Sequence, residues 1–360
     1  MSRWPFGRQD TRRDEAGAGP AGPTTVAMCG AGMVATVHSM AAAELGWRVV
    51  AVASRTAERA GGLATRCGAR VVGYDELPAG ADIVVVATPP AQHVSDALAA
   101  LARGAAVVVE KPLCRTLEEA DRLVAAEDGR VLYGENLAAA PVVLELLRRA
   151  RQLGPLELIE VRALQGLPTW GGFTTDEWGG GALFDLGAHP LAVALLLAGS
   201  DPVVSVQATL RSGPGHASDE HAEVALRFRS GLTARVVASW QAGPDPVWDA
   251  QVSSATGVVR AELLPEPALE VGGDPVGLAP STTPTVPILD AGGYLGQLAV
   301  FADDLRRGRA PLLGARFGRH VLELTCAAYA SAGRGGDPVS VPWDGPRDRT
   351  PLQLWHFPPL

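Results

Sequence analysis

The feature that most constrains the fold of this chain is a glycine-rich turn between an apolar strand and a helix. Thr25 to Cys29 is a short apolar run, Gly30 to Ala35 has the pattern Gly-x-Gly-x-x-Ala, and a helix-like run follows to Leu45. Further apolar strands alternate with helical stretches, with strands at 48–53, 81–87 and 105–109 and helices at 58–67 and 94–102. This alternation predicts an α/β domain with a parallel, doubly wound sheet that binds ligands at the carboxyl ends of its strands.

The turn itself predicts a dinucleotide site. Gly30 permits a tight turn, and Gly32 lets the backbone approach a pyrophosphate. The start of the helix, at Met33 and Val34, offers free N–H groups to the phosphates. The glycine pattern alone is equally consistent with an ordinary turn, so the flanking strand and helix carry the prediction.

The residues at the end of the second strand are expected to contact the adenosine part of the cofactor. A site that prefers NAD usually has an acidic residue there, which binds the ribose hydroxyls. Here the strand ends Ala53-Ser54-Arg55. A hydroxyl and a guanidinium can bind a phosphate, whereas a carboxylate would repel it. The sequence therefore favours NADP over NAD; the alternative is that Arg55 stacks on adenine and both cofactors bind.

Only one lysine, Lys111, occurs in the 360 residues, and it follows a strand in the tripeptide Glu110-Lys111-Pro112. Lysine can lose its proton where chemistry requires it, whereas arginine stays charged. A codon bias that happened to spare one lysine is the alternative explanation. The turn Thr88-Pro89-Pro90 also follows a strand, so we expect both segments at the same edge of the sheet, beside the nicotinamide.

After Asn136 the pattern changes to alternating strands. A helix at 142–151 precedes strands at 156–164, 203–210, 221–229, 232–241 and 247–254, and Ser230-Gly231 fits a hairpin turn. The pattern predicts a second, α+β domain with an open, largely antiparallel sheet. Its free face could meet a second copy, which suggests a homodimer or homotetramer. The proline-rich segment 265–287 is predicted to be a loop.

Two polar residues interrupt an apolar run in this domain. Leu183 to Leu197 is apolar apart from Asp185 and His189, whose spacing would place both side chains on one helix face. Buried polar groups need partners, so the alternative is a core histidine satisfied by its own aspartate. The preceding segment supplies candidate substrate contacts at Trp170, Asp176 and Trp178, although these aromatic side chains could equally pack a loop.

The composition argues against several classes of function. A net charge of −8 argues against a nucleic-acid partner, and no apolar run is long enough to span a membrane. The four scattered cysteines suggest reduced thiols and no metal site, which together with the lack of an export signal predicts a cytoplasmic protein. We expect a disordered tail at 1–23, a Rossmann domain at 24–136, an α+β substrate and oligomerisation domain at 137–345, and a C-terminal tail at 346–360.

The motifs together resemble the Gfo/Idh/MocA oxidoreductases, the family of glucose–fructose oxidoreductase and inositol dehydrogenase. The resemblance covers roughly residues 24 to 345 and rests on these matches: Gly30-x-Gly32-x-x-Ala35-x-x-His38, Thr88-Pro89-Pro90-x-x-His93, Glu110-Lys111-Pro112, Asp185-x-Gly187-x-His189, Tyr294-x-x-Gln297-x-x-x-Phe301 and Val339-x-Val341-Pro342. It implies that Lys111, Asp185 and His189 are catalytic. It also implies that Thr88, Pro89, His93 and Glu110 contact the cofactor, and Asn136 is a candidate substrate residue.

The resemblance implies hydride transfer between NAD(P) and a secondary alcohol or ketone of a sugar, cyclic polyol or sugar nucleotide. His189 is the favoured base, with Asp185 fixing its tautomer and Lys111 stabilising the developing alkoxide, although Lys111 could itself be the base if its pKa fell far enough. Alternatives are glycoside cleavage with transient cofactor redox, reduction of a non-sugar carbonyl or imine, and a cofactor-binding regulator without turnover. Many members carry an acid at the positions of Ala192 and Ser54, which leaves the substrate and the cofactor choice open.

Overall fold

The computed structural model describes residues 24–175, 177–243, 245–278 and 284–358. A first sheet has six strands in the order β3-β2-β1-β4-β5-β6, and all of its neighbours run parallel. The strands are β1 Thr25–Cys29, β2 Arg48–Ala53, β3 Arg70–Val71, β4 Ile83–Val86, β5 Ala106–Glu110 and β6 Val131–Gly134. The helices between them are α1 Met33–Glu44, α2 Ala57–Cys67, α3 Pro90–Ala102 and α4 Leu117–Ala126. The predicted doubly wound sheet is confirmed.

This sheet brings the ends of its strands to one edge. Every residue of β4 and β5 is buried, as expected for strands that helices cover on both faces. The strand order reverses between β1 and β4, and ligands of such sheets bind in the crevice at that reversal. The segments that follow β1, β4, β5 and β6 therefore lie close together.

A second sheet has nine strands in the order β14-β13-β12-β11-β7-β10-β9-β8-β15. It is antiparallel except for the pair β7 and β10. The strands are β7 Leu158–Leu164, β8 Val203–Ser212, β9 Asp219–Phe228, β10 Thr233–Ser239, β11 Val247–Ser254, β12 Gly257–Leu264, β13 Ala268–Val271, β14 Asp274–Pro275 and β15 Val339–Ser340. Alternate residues of β9, from Ala222 to Phe228, are buried as the pattern predicts.

The remaining helices cover this sheet and connect it to the first. They are α5 Pro141–Ala150, α6 Ala182–Asp185, α7 Ala188–Ala198, α8 Pro287–Ala291, α9 Tyr294–Arg306, α10 Ala315–Gly333 and α11 Pro351–His356. α7 and α10 pack on the second sheet, whereas α9 returns to the first. Leu295, Leu298 and Phe301 of α9 share one apolar cluster with Val26 and Val85 of the first sheet.

Three predicted elements are wrong in detail. The continuous helix predicted over 183–197 is broken between α6 and α7. The segment 265–287, predicted to be a loop, contains the strands β13 and β14 and the first residue of α8, although its residues 279–283 lie outside the described ranges. The segment predicted as a C-terminal tail contains α11, whose Leu352 and Leu354 are buried.

Several predictions are not tested by these elements. The domain boundaries, the assembly into a homodimer or homotetramer, and the cytoplasmic location stay predictions, and the tail at 1–23 lies outside the described residues. Within the described ranges no helix is long and apolar enough to cross a membrane.

Candidate active site

The glycine turn after β1 has a geometry that suits a pyrophosphate. Gly30 has a φ of +112°, and a Cβ there would lie 2.4 Å from the carbonyl oxygen of Ala87, so only glycine fits. Gly32 is the extended N-cap of α1, and a Cβ there would meet no atom within 4 Å. No side chain caps the first N–H groups of α1, at Met33 and Val34, and such groups attract phosphate. The turn therefore fits a dinucleotide.

Ser54 and Arg55 follow β2 directly beside this turn. The Gly30 N–H donates to the carbonyl of Ala53, the last residue of β2, at 2.8 Å. Ser54 is half-buried and its Oγ accepts a hydrogen bond from the Thr56 N–H at 3.3 Å, while Arg55 is exposed. The end of β2 thus presents a hydroxyl and a guanidinium beside the glycine turn.

His93 connects two of the segments predicted to hold the cofactor. Its buried ring lies with Nε2 2.7 Å from the Thr88 carbonyl and Nδ1 2.9 Å from the Pro112 carbonyl. Burial lowers the pKa of His93, although both carbonyl oxygens act in the opposite direction. Thr88 also donates through Oγ1 to Asp96 at 2.8 Å, and Pro89 is the N-cap of α3.

Lys111 follows β5 and forms an ion pair with Asp185. Its Nζ lies 2.8 Å from Asp185 Oδ1 and 3.2 Å from the Asp185 carbonyl oxygen. Burial disfavours the ammonium, but the carboxylates of Asp185, Glu110 and Glu135 outweigh that effect and raise the pKa of Lys111. Lys111 is therefore an ammonium in this arrangement and donates both hydrogen bonds.

Asp185 and His189 do not share one helix face, as their spacing had suggested. α6 ends at Asp185 and α7 begins at Ala188. Between them lies Gly187, where a Cβ would approach the Leu183 carbonyl oxygen to 2.4 Å. The break directs Asp185 to Lys111, whereas His189 Nδ1 lies 2.7 Å from Glu135 Oε1. The expectation that Asp185 fixes the tautomer of His189 is therefore wrong, because the observed partner is another carboxylate.

Glu110 and Glu135 are buried acids at the ends of β5 and β6. Glu110 accepts from the buried His38, with Nε2 and Oε1 2.5 Å apart, and its Oε2 lies 3.3 Å from the Lys111 N–H. Glu110 thus contacts the backbone of the segment that carries Lys111. Glu110, Glu135 and Asp185 thus place three carboxylates around Lys111. Glu110 is paired with His38, and Glu135 is paired with His189.

The candidate substrate residues lie in different settings. Asn136 is buried and donates through Nδ2 to the Gly292 carbonyl at 2.7 Å. Trp178 packs on Phe173 with ring centroids 4.4 Å apart, which is the loop packing named above as the alternative. Trp170 is 49% exposed, so its ring is available to a ligand. Asp176 lies outside the described residues.

Two residues that contact His189 were not identified from the sequence. Glu135 follows β6, and an inspection of every polar residue after a parallel strand would have found it. Trp248 of β11 lies against the His189 ring with centroids 5.2 Å apart, and no local pattern marks it. Among the described residues no group of histidine, cysteine or acidic side chains could hold a metal ion.

The fold and the site together define a two-domain, dinucleotide-binding oxidoreductase architecture. Residues 24–133 match the oxidoreductase family with NAD-binding Rossmann fold, Gfo/Idh/MocA, and residues 144–260 match the Gfo/Idh/MocA C-terminal domain. Over 302 residues the chain is 31% identical to a putative UDP-kanosamine synthase oxidoreductase subunit of Amycolatopsis mediterranei (strain S699), covering 72% of this chain and 81% of that protein. The chain belongs to the Gfo/Idh/MocA oxidoreductase family, as its motifs predicted.

Other relatives are similar over smaller parts or in fold. The D-glucoside 3-dehydrogenase of Escherichia coli (strain K12) is 35% identical over 200 residues, which cover 52% of this chain and 57% of that protein. The chain spans between 57% and 64% of the length of three such curated relatives. The structure of GenD2 from gentamicin A biosynthesis, in complex with NAD, superposes with a TM-score of 0.80 at 27% identity, covering 91% of this chain and 98% of that chain.

Proposed function

We propose that this protein transfers a hydride between a nicotinamide dinucleotide and a secondary alcohol or ketone of a sugar or sugar nucleotide. The observation that carries the proposal is the arrangement around Lys111: its ammonium, paired with Asp185 at 2.8 Å, and the buried His189 lie at the edge where the strands of the dinucleotide-binding sheet end. Dehydrogenases and reductases of sugars among the relatives support it.

The residues divide the proton chemistry between them. When bound, the nicotinamide supplies the hydride transfer itself. His189 takes the hydroxyl proton of the substrate as the alcohol is oxidised, since an imidazole suits that role near neutral pH. Lys111 donates a hydrogen bond to the same oxygen and stabilises its developing negative charge. Asp185 holds the ammonium in place. Reduction of a ketone uses the same groups in reverse.

We propose NADP as the preferred cofactor. Ser54 and Arg55 supply a hydroxyl and an exposed guanidinium after β2, which suit a ribose phosphate better than the diol-binding carboxylate of NAD sites does. The NAD-binding description of the family and the NAD complex of GenD2 make NADH the direct competitor.

The reacting carbon of the substrate is proposed to be C3 of a hexopyranose. The names of two kinds of relative set the reaction at this position: D-glucoside 3-dehydrogenase and dTDP-3,4-didehydro-2,6-dideoxy-alpha-D-glucose 3-reductase. Of the candidate substrate residues, Trp170 has an exposed aromatic face on which a sugar ring can stack.

Titration with NADPH and with NADH, followed by nicotinamide fluorescence, tests the cofactor part. We expect both to bind and NADPH to bind more tightly, and we expect Ser54→Asp to reverse that order by placing a carboxylate beside the phosphate. Tighter binding of NADH by the unchanged protein would overturn the preference alone. Absence of binding by either would overturn both the proposed function and the alternative of a cofactor-binding regulator. Product analysis after incubation with glucosides separates net oxidation from glycoside cleavage.

A further inference from the structure

We propose that Glu135 is the positioning residue that holds a proton on Nδ1 of His189 and so leaves Nε2 free to accept the substrate proton. The two side chains meet at 2.7 Å, and both are buried. A carboxylate only accepts hydrogen bonds, so the hydrogen between these atoms belongs to the imidazole. The inference rests on the proposed role of His189 as the base.

Asp185 cannot fill this role in the observed arrangement. Its Oδ1 lies 2.8 Å from Lys111 Nζ, which also lies 3.2 Å from its backbone carbonyl oxygen. The break at Gly187 separates the helix that carries Asp185 from the helix that carries His189. The site thus contains two separate hydrogen-bonded pairs, Asp185 with Lys111 and Glu135 with His189.

Glu135 also differs from a buried acid that serves only the fold. Asp219 is such an acid: it accepts from the Gly181 N–H at 3.1 Å, from the Leu183 N–H at 2.8 Å and from the Tyr329 hydroxyl. Among the described residues the one side-chain hydrogen bond of Glu135 is to His189, and its Oε2 is buried without a partner. Burying an acid that has only one hydrogen-bond partner lowers the stability of the fold. A role of Glu135 in positioning His189 accounts for that cost.

The chain around Glu135 fixes its position. Gly134 ends β6 directly against Glu110, since a Cβ at Gly134 would lie 3.0 Å from Glu110 Oε1. The next residue, Asn136, is anchored to the Gly292 carbonyl at 2.7 Å. Glu135 is therefore held from both sides, and its side chain points to the helix that carries His189.

The chemical consequence is a directed proton transfer. As the substrate O–H bond breaks, its proton forms the new bond to Nε2, and the ring becomes an imidazolium with Nδ1–H still donating to Glu135. The negative charge of Glu135 stabilises that imidazolium. Without the carboxylate, the proton can move to the other ring nitrogen, and Nε2 then has no lone pair for the substrate.

Long-range proton–nitrogen correlation NMR of the cofactor-free protein reads the tautomer directly, with the His189 signals assigned from a His189→Gln spectrum. We expect Nδ1–H in the wild type, in Glu135→Gln, whose amide oxygen still accepts, and in Asp185→Asn, the control that removes the other carboxylate. We expect Glu135→Leu to lose this preference. A retained Nδ1–H in Glu135→Leu, or its loss in Asp185→Asn, would overturn the assignment.

Kinetics of the near-isosteric Glu135→Gln test the charge, including the case in which Glu135→Leu does not fold. We expect kcat to fall about 100-fold with KM and cofactor Kd within about threefold of wild type, the acid limb of the pH profile to move to lower pH, and Glu135→Asp to recover part of the loss. An unchanged kcat and pH profile would refute the stabilisation of the imidazolium by the charge of Glu135. If no sugar is turned over, the proposed function fails, while the NMR result still decides the role of Glu135.

Discussion

The ion pair between Lys111 and Asp185 should be coupled strongly enough to measure in the folded protein without any ligand. Two unit charges at the observed 2.8 Å attract by about 6 kcal/mol at an effective dielectric constant of about 20. Desolvation offsets much of this, since the side chains are only 18% and 5% exposed. We therefore expect a net coupling of about 2–3 kcal/mol.

A double-mutant cycle with Lys111→Met, Asp185→Asn and the double variant measures this coupling through the free energy of unfolding in urea. Each single variant leaves one charge without its partner and should lose about 3 kcal/mol, whereas the double variant should lose much less than the sum. The control is the pair of Arg162 and Asp249 on the second sheet, with Nε and Oδ1 2.9 Å apart but side chains 49% and 30% exposed.

The control pair should show a coupling below about 1 kcal/mol, because water screens it. If the two pairs give the same small coupling, the Lys111 ammonium is not held by Asp185 in the way described. The raised pKa of Lys111, and with it the proposal that His189 and not Lys111 is the base, would then be refuted.

Three further predictions concern Lys111, the glycine turn and His93. Lys111→Arg should lower kcat about 100-fold in steady-state assays because a planar guanidinium cannot replace a compact ammonium beside Asp185; full turnover would contradict its role. Gly30→Ala should destabilise the protein by about 3 kcal/mol or more. Gly32→Ala should leave the melting temperature unchanged and weaken NADPH binding in a fluorescence titration; the opposite pattern would contradict dinucleotide binding at the glycine turn. Because the pKa of His93 is lowered by burial, its stabilising effect is present above about pH 6.5 and is lost as the pH falls below that value. The stability advantage of wild type over His93→Asn in urea should therefore shrink from pH 7.5 to pH 5, and an advantage that grows would show that His93 is a buried cation.

The first sheet was predictable because its signals are local. A strand, a glycine turn and a helix lie next to each other in the sequence. β4 is apolar throughout and β5 is apolar up to Glu110, as expected for strands that helices cover on both faces. The prediction of a loop at 265–287 was wrong because the structure of that segment depends on a neighbouring strand. Its prolines suggest a loop, yet β13 pairs with β12, and that pairing is a property of the sheet and not of the segment.

The proposed catalytic residues could be identified from the sequence, but their hydrogen-bond partners could not. Lys111, Asp185 and His189 are marked by residue type and by their place after strands or on an apolar helix. The partners of Asp185 and His189 come from other segments, and Glu135 lies 54 positions away from His189. The break near Gly187 is also absent from the prediction, because the four-residue spacing of Asp185 and His189 places them on one face only if the helix is continuous.

The central claim is hydride transfer from a sugar carbon to the nicotinamide, and isotope transfer tests it most directly. A glucoside carrying deuterium only at C3 is incubated with the protein and NADP, and the nicotinamide is analysed by NMR and mass spectrometry. We expect deuterium at C4 of the reduced nicotinamide and a slower reaction than with the unlabelled glucoside. In His189→Gln we expect no reduced nicotinamide and no transferred deuterium. Reduced cofactor without deuterium would contradict C3 as the reacting carbon. Unreacted cofactor with every glucoside and sugar nucleotide tested would contradict the proposed function.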